Sequence, residues 1–86
     1  MKSIDDELAL ASQKLLDTVS KNVVRLRQMK GYSQLDLALE IGLSGAAYLG
    51  RMEIRTKNHH FNLEHLAKIA EILEVDICEF FQPVEE

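Results

Sequence analysis

The chain has 86 residues, of which 47% are hydrophobic and 28% charged, and its formal net charge is −4. That length gives room for one domain around one core, and with only Pro83 and four glycines to interrupt it and no β-branched runs to suggest strands, the expected class is all-α. A single cysteine rules out a disulfide framework, the apolar runs fall short of the roughly 20 residues that cross a bilayer, and the acids in MKSIDDELAL are unlike a secretory leader, so a cytoplasmic protein without a membrane partner is expected.

Residues 3 to 17 (SIDDELALASQKLLD) open with Ser3 as an N-cap and with Asp5, Asp6 and Glu7, acids suited to the positive end of a helix. Ile4, Leu8, Ala11, Leu15 and Leu16 keep helical spacing, and Val19, Val23 and Leu26 continue it. No Gly or Pro marks a boundary, but Thr18 can cap a new helix, which favours a break near Asp17 and Thr18. The following helix, residues 19 to 30, is closed by Gly31 in a left-handed conformation. Ser33 caps the next, with Gln34 at its first position and Asp36 two residues on, and Leu35, Leu37, Ala38 and Ile41 as its apolar stripe. It ends at Gly42. A further helix starts at Ser44 or Gly45 and runs to about Ile54, with Leu43, Ala47, Leu49 and Met52 at helical spacing. Two short helices joined around a glycine make a helix-turn-helix, a motif that most often puts its second helix in the major groove of DNA.

Arg55 to His60 is too charged to bury. Asn62 caps LEHLAKIAEILE, whose stripe is Leu63, Leu66, Ile69, Ala70 and Leu73. Asp76 caps a last short helix, in which Ile77, Phe80 and Phe81 are expected to plug the core and Cys78 to fill it, before Pro83 stops the chain.

A net charge of −4 is an objection to nucleic-acid binding, and its distribution answers part of it. Residues 20 to 60 hold seven bases against three acids, whereas the remainder holds three bases against eleven acids. The basic share centres on the helix-turn-helix, and local potential governs anion steering more than the total does.

The run RLRQMKGYSQLDLALEIG, the YLGRME ending of the second motif helix and the tail NLEHLAKIAEILEVDICEFF together resemble the phage repressor and Cro-like (XRE) family of helix-turn-helix regulators. The resemblance spans residues 19 to 82. It implies a lambda-repressor-like five-helix DNA-binding domain over 19–82; an N-terminal helical extension at 1–18 and a tail at 83–86 lie outside the match. It also implies a transcriptional regulator, a repressor by expectation, that works as a homodimer on double-stranded DNA with its third helix in the major groove. Gln34 matches the family glutamine that bonds a DNA phosphate and braces the recognition helix. Arg27 and Glu53 match a pair that forms a salt bridge between the first helix and the end of the recognition helix.

The recognition helix departs from the family. Ala46, Ala47 and Gly50 occupy positions that usually carry long polar side chains, and only Tyr48 and Arg51 have reach. The interval from Gly42 to Glu53 is also one residue longer than usual. Alanine offers a base edge only apolar contact with a thymine methyl. Readout would then rest on Arg51, on backbone amides at Ser44 and Gly45 and on DNA shape, with Arg55, Lys57, Asn58 and the adjoining histidines gripping the phosphate backbone from a loop about two residues longer than usual. The alternative is a protein-interaction module on the same fold, an antitoxin-like or anti-repressor partner.

His59, His60 and His65 could suggest a metal, but no Cys or carboxylate stands at metal-site spacing, and no metal or other cofactor is expected. Nothing resembles a nucleophile with its base or a phosphate loop, so no enzyme is expected. Dimerisation would use the apolar face of residues 4 to 16 or the Ile77 to Phe81 end.

Overall fold

The structure, a computed structural model, describes residues 3–84, so the outermost residues of the expected 1–18 extension and 83–86 tail lie outside the described residues. Ser3 accepts a hydrogen bond from the Asp6 amide at 3.2 Å and starts α1, which runs unbroken over Ile4–Met29. The break expected near Thr18 is absent. Opening a helix there would orphan amides and carbonyls on both sides. Across the same turn Arg55 bonds the Gln13 carbonyl at 3.3 Å, the Gln13 amide oxygen at 2.7 Å and Asp17 at 2.7 Å.

Gly31, at φ 79, ends α1: its amide donates to Gln28 and that of Tyr32 to Arg27. Ser33 accepts from the Asp36 amide at 3.0 Å and opens α2, Gln34–Glu40. Gly42, at φ 89, repeats the closure, with Leu43 donating to Ala38 at 2.8 Å. In both turns the left-handed residue lets two amides satisfy the last free carbonyls of the helix, a conformation that costs glycine little. The third helix, α3, is Ala46–Ile54, and a short 3-10 turn follows at Thr56–Asn58. The fourth, α4, is Leu63–Leu73, capped by Asn62. The expected last helix is a five-residue 3-10 turn, Ile77–Phe81, held by Asp76 accepting from the Cys78 amide at 2.8 Å. The all-α class holds, with four α-helices and no strand among the described residues.

Val23, Leu37, Leu49, Met52, Ile69 and Phe80 are wholly buried and join all four helices and the last turn in one core. Periodicity overstated its width. Leu35 is 48% exposed and Leu63 72%, Ala47 also faces outward, Phe81 is 39% exposed and Cys78 is a surface thiol instead of a core filler. Phe61, between the charged segment that ends at His60 and the Asn62 cap, is buried.

Buried polar side chains fasten α1 to the rest. Ser20 donates to the Met52 carbonyl at 2.9 Å, and the Asn22 amide donates to the carbonyls of Phe80 and Gln82 at 2.9 and 2.8 Å. Arg27 Nε donates to Glu53 Oε2 at 2.7 Å and a second guanidinium nitrogen donates to Oε1 at 3.2 Å; the two side chains are only 9% and 2% exposed. Gln34 Nε2 donates to the same Oε1 at 2.8 Å, so one carboxylate from α3 joins α1 and α2. Gly50 lies over Gln34, and a Cβ there would stand 3.6 Å from Nε2, an ordinary contact.

Glu53→Ala leaves a buried guanidinium without its counter-charge and is expected to lower unfolding free energy by about 3–5 kcal/mol in urea denaturation. Asp17→Ala removes the 57% exposed carboxylate of Arg55 but leaves its guanidinium the two oxygens of Gln13, and is expected to cost less than Glu53→Ala in the same assay. Gly50→Ala relieves a glycine inside a helix without a clash and is expected to stabilise the fold by about 0.5–1 kcal/mol in the same assay.

Candidate nucleic-acid interface

Three side chains of α3 face inward, Leu49, Met52 and Glu53, and fix the helix by packing on one side and by the carboxylate brace at its end. At 100° per residue the opposite face carries Ala47, Arg51 and Ile54, with Gly50 beside them. Ala47, Arg51 and Ile54 are exposed, and Ala46 and Gly50 are half-buried. Ile54, 76% exposed, escaped the sequence reading as a surface residue of this face. Its three- and seven-residue spacing from Arg51 and Ala47 was the available signal.

Gly45 caps α3 in extended backbone, φ 178, and contributes no side-chain hydrogen bond, so the first-turn amides are covered by no side chain of the cap. Ser44 beside it is exposed. A helix N-terminus left this way presents donors and the positive end of the dipole to an anion. Gln34 sits at the first position of α2, half-buried, with one amide hydrogen engaged by Glu53. A primary amide has two, so the bond to Glu53 leaves donor capacity while fixing the rotamer.

Tyr48 stands at the flank of α3 and supports Arg51, whose guanidinium carbon lies 5.8 Å from the ring centroid. The ring in turn meets His59 edge-on at 5.6 Å and His65 at 6.2 Å, and Phe61 meets His65 at 6.3 Å. Long cations lose rotamer entropy when they bind, and a ring platform reduces that loss. The histidines are occupied in the local structure: His59 Nδ1 donates to the Thr56 carbonyl at 2.6 Å and His60 Nδ1 to that of Asn58 at 3.0 Å. No group of three metal-ligating side chains gathers among the described residues.

The loop beyond α3 differs most from the sequence reading. Arg55, Lys57 and Asn58 all adopt left-handed backbone, at φ 56, 53 and 64. Lys57 and Asn58 stay exposed. Arg55, expected to grip phosphate, lies against α1 on Gln13 and Asp17, with a side chain 9% exposed and its Nε buried without a partner. Arg27 is likewise internal. Two of the seven bases counted between residues 20 and 60 are thus held inside the fold, and the basic surface is sparser than the sequence balance implied.

His65 ties this cluster to the start of α4. Its Nδ1 accepts from the Asn62 amide at 3.1 Å while Asn62 Oδ1 accepts from the His65 amide at 2.7 Å, a reciprocal cap that needs an unprotonated Nδ1. Burial holds its pKa below the ordinary value, with Lys68 and His60 adding to that and Glu64 opposing it. The unfolded chain therefore takes up the proton first, so this stability is complete above about pH 6.5 and is lost as the pH falls through the lowered folded value. Melting temperature is expected to decline on acidification below pH 6.5, and His65→Gln, whose side chain accepts at any of these pH values, is expected to flatten that decline.

No curated protein and no solved structure matches the chain. No helix among the described residues is long and apolar enough to cross a membrane. The helix-turn-helix family profile matches residues 23–80, from the middle of α1 to the last turn. With two helices set around Gly42, α3 braced from behind and open in front, and this profile over most of its length, the chain belongs to the XRE helix-turn-helix family of DNA-binding regulators.

Proposed function

We propose that the protein is a transcriptional repressor of the cytoplasm that binds double-stranded DNA as a homodimer, each copy inserting α3 into the major groove. The observation that carries this reading is α3 itself, fixed along one side by Leu49, Met52 and the Glu53 brace and carrying only Arg51 and Ile54 as long side chains along the other. Small side chains at Ala46, Ala47 and Gly50 allow a helix to sit deep in a groove, where alanine meets thymine methyls and Arg51 reaches the O6 and N7 of a guanine. Tyr48 steadies Arg51 in that role. Phosphates fall to Gln34, to the amides after Ser44 and Gly45, and to Lys57 and Asn58 in the loop. Arg55, turned onto α1, leaves this set and acts as a clamp between the loop and α1.

A specific observation favours a second reading. Ala47, Gly50 and the 76% exposed Ile54 form an apolar strip on the same face, which suits a protein partner as well as a groove.

Selection of bound sequences from random duplexes, with affinity followed against salt, separates the two. The DNA reading expects an enriched motif of modest information content, because one bidentate contact supplies only about 1–3 kcal/mol of discrimination. Arg51→Ala is expected to relax the preference at one base position, and Lys57→Ala to weaken all sequences alike and reduce the salt slope by about one. No enriched sequence, with binding lost at moderate salt, would assign the face to a protein partner.

A further inference from the structure

The first four turns of α1 carry an apolar stripe that the domain does not use. Buried residues in α1 begin at Val19. Before it, Ile4 is 70% exposed, Leu8 63% and Leu15 50%, and Ala11 between them is also exposed. Their spacing is four, three and four, so Ile4 and Ala11 lie seven apart, as do Leu8 and Leu15. This is the a/d repeat of a two-helix seam, not the broader face with which a helix covers a globular core. The family profile begins at residue 23, beyond this segment. The long dimension of the molecule, 45 Å against 24 and 23 Å, fits a helix of 26 residues at about 1.5 Å each projecting from the domain.

We propose that this stripe pairs with the same stripe of a second copy, and that the two helices run antiparallel. The register follows from the sequence. Setting Ile4 opposite Leu15 of the second copy sets Leu8 opposite Ala11, and the two-fold axis repeats both layers. Each layer then joins a larger residue to one that fits it, and the small Ala11 lets the helices approach closely on either side of the axis. The flanking charges distinguish this from the parallel arrangement. In the antiparallel register Glu7 of each copy faces Lys14 of the other, twice over, and both residues are exposed. A parallel pair would bring Asp5, Asp6 and Glu7 of both copies together at aligned positive helix ends and place Glu7 opposite Ser12, with no counter-charge. Charge complementarity therefore favours a second copy in reverse orientation as the occupant.

This deepens the dimeric part of the proposed function and rests on it only there, because association can be measured without DNA. Sedimentation equilibrium of the full chain is expected to show a dimer. Leu8→Glu, which puts a charge in the seam and touches no core residue, is expected to weaken it at least about tenfold while leaving the far-ultraviolet circular dichroism and the melting profile of the monomer unchanged. Glu7→Lys and Lys14→Glu are each expected to weaken the dimer and together to restore it. A wild-type chain that stays monomeric at every concentration would overturn the proposal, as would a dimer that Leu8→Glu leaves intact. Two weakening single charge reversals without restoration in the double variant would overturn the antiparallel register. A dimer that behaves as described yet enriches no DNA sequence would sink the DNA reading and leave this interface standing.

Discussion

The Glu53 carboxylate receives hydrogen bonds from Arg27 on α1 and from Gln34 on α2, and it is the last inward-facing group of α3. A nearly buried carboxylate is costly without partners, and here both oxygens have them. The consequence is geometric. Hydrophobic contact through Leu49 and Met52 sets the distance of α3 from the core but is tolerant of rotation, whereas three directional bonds at one end set its roll and tilt. The surface on which Ala47, Arg51 and Ile54 sit is aimed by residues that do not belong to it.

That arrangement also changes how the charge of the chain is to be understood. The sequence balance placed its positive share around the helix-turn-helix, yet Arg27 serves the brace and Arg55 serves the junction of loop and α1. What remains on the interface is Arg51, Lys57 and the dipole of α3. Long-range steering scales with exposed charge and is weakened by the acidic remainder, so affinity for a polyanion has to come from contacts at short range, where ordered donors such as the Gln34 amide count for more.

The parts of the fold legible in the sequence were those decided locally. Gly31 and Gly42 announce helix ends because the left-handed residue is needed there and glycine adopts it readily, and Ser33 and Asn62 announce starts because their oxygens reach amides three residues on. The parts that were not legible were decided at a distance. Thr18 has the chemistry of a cap, but α1 passes through it, bound there by an arginine nearly forty residues away. Leu35 and Leu63 obey the helical period and still face solvent, because period gives the direction of a face and not its width. In the interface, the bareness of α3 was plain from Ala46, Ala47 and Gly50. The redirection of Arg55 was not, since it depends on a left-handed turn at a residue type that seldom takes one.

The continuity of α1 couples two ends of the molecule that the family profile separates. A hinge at Thr18 would have let the outer turns swing freely of the domain. Without one, the stripe at Ile4 to Leu15 and the brace at Arg27 ride on a single rod, and their relative angle is set by the number of residues between them. Adding one residue to that interval would turn the outer face by about 100° and shift it by about 1.5 Å. The segment between Leu15 and Val19 therefore acts as a phase setting: its length, more than its composition, determines how any partner gripping the outer turns is oriented against whatever α3 touches.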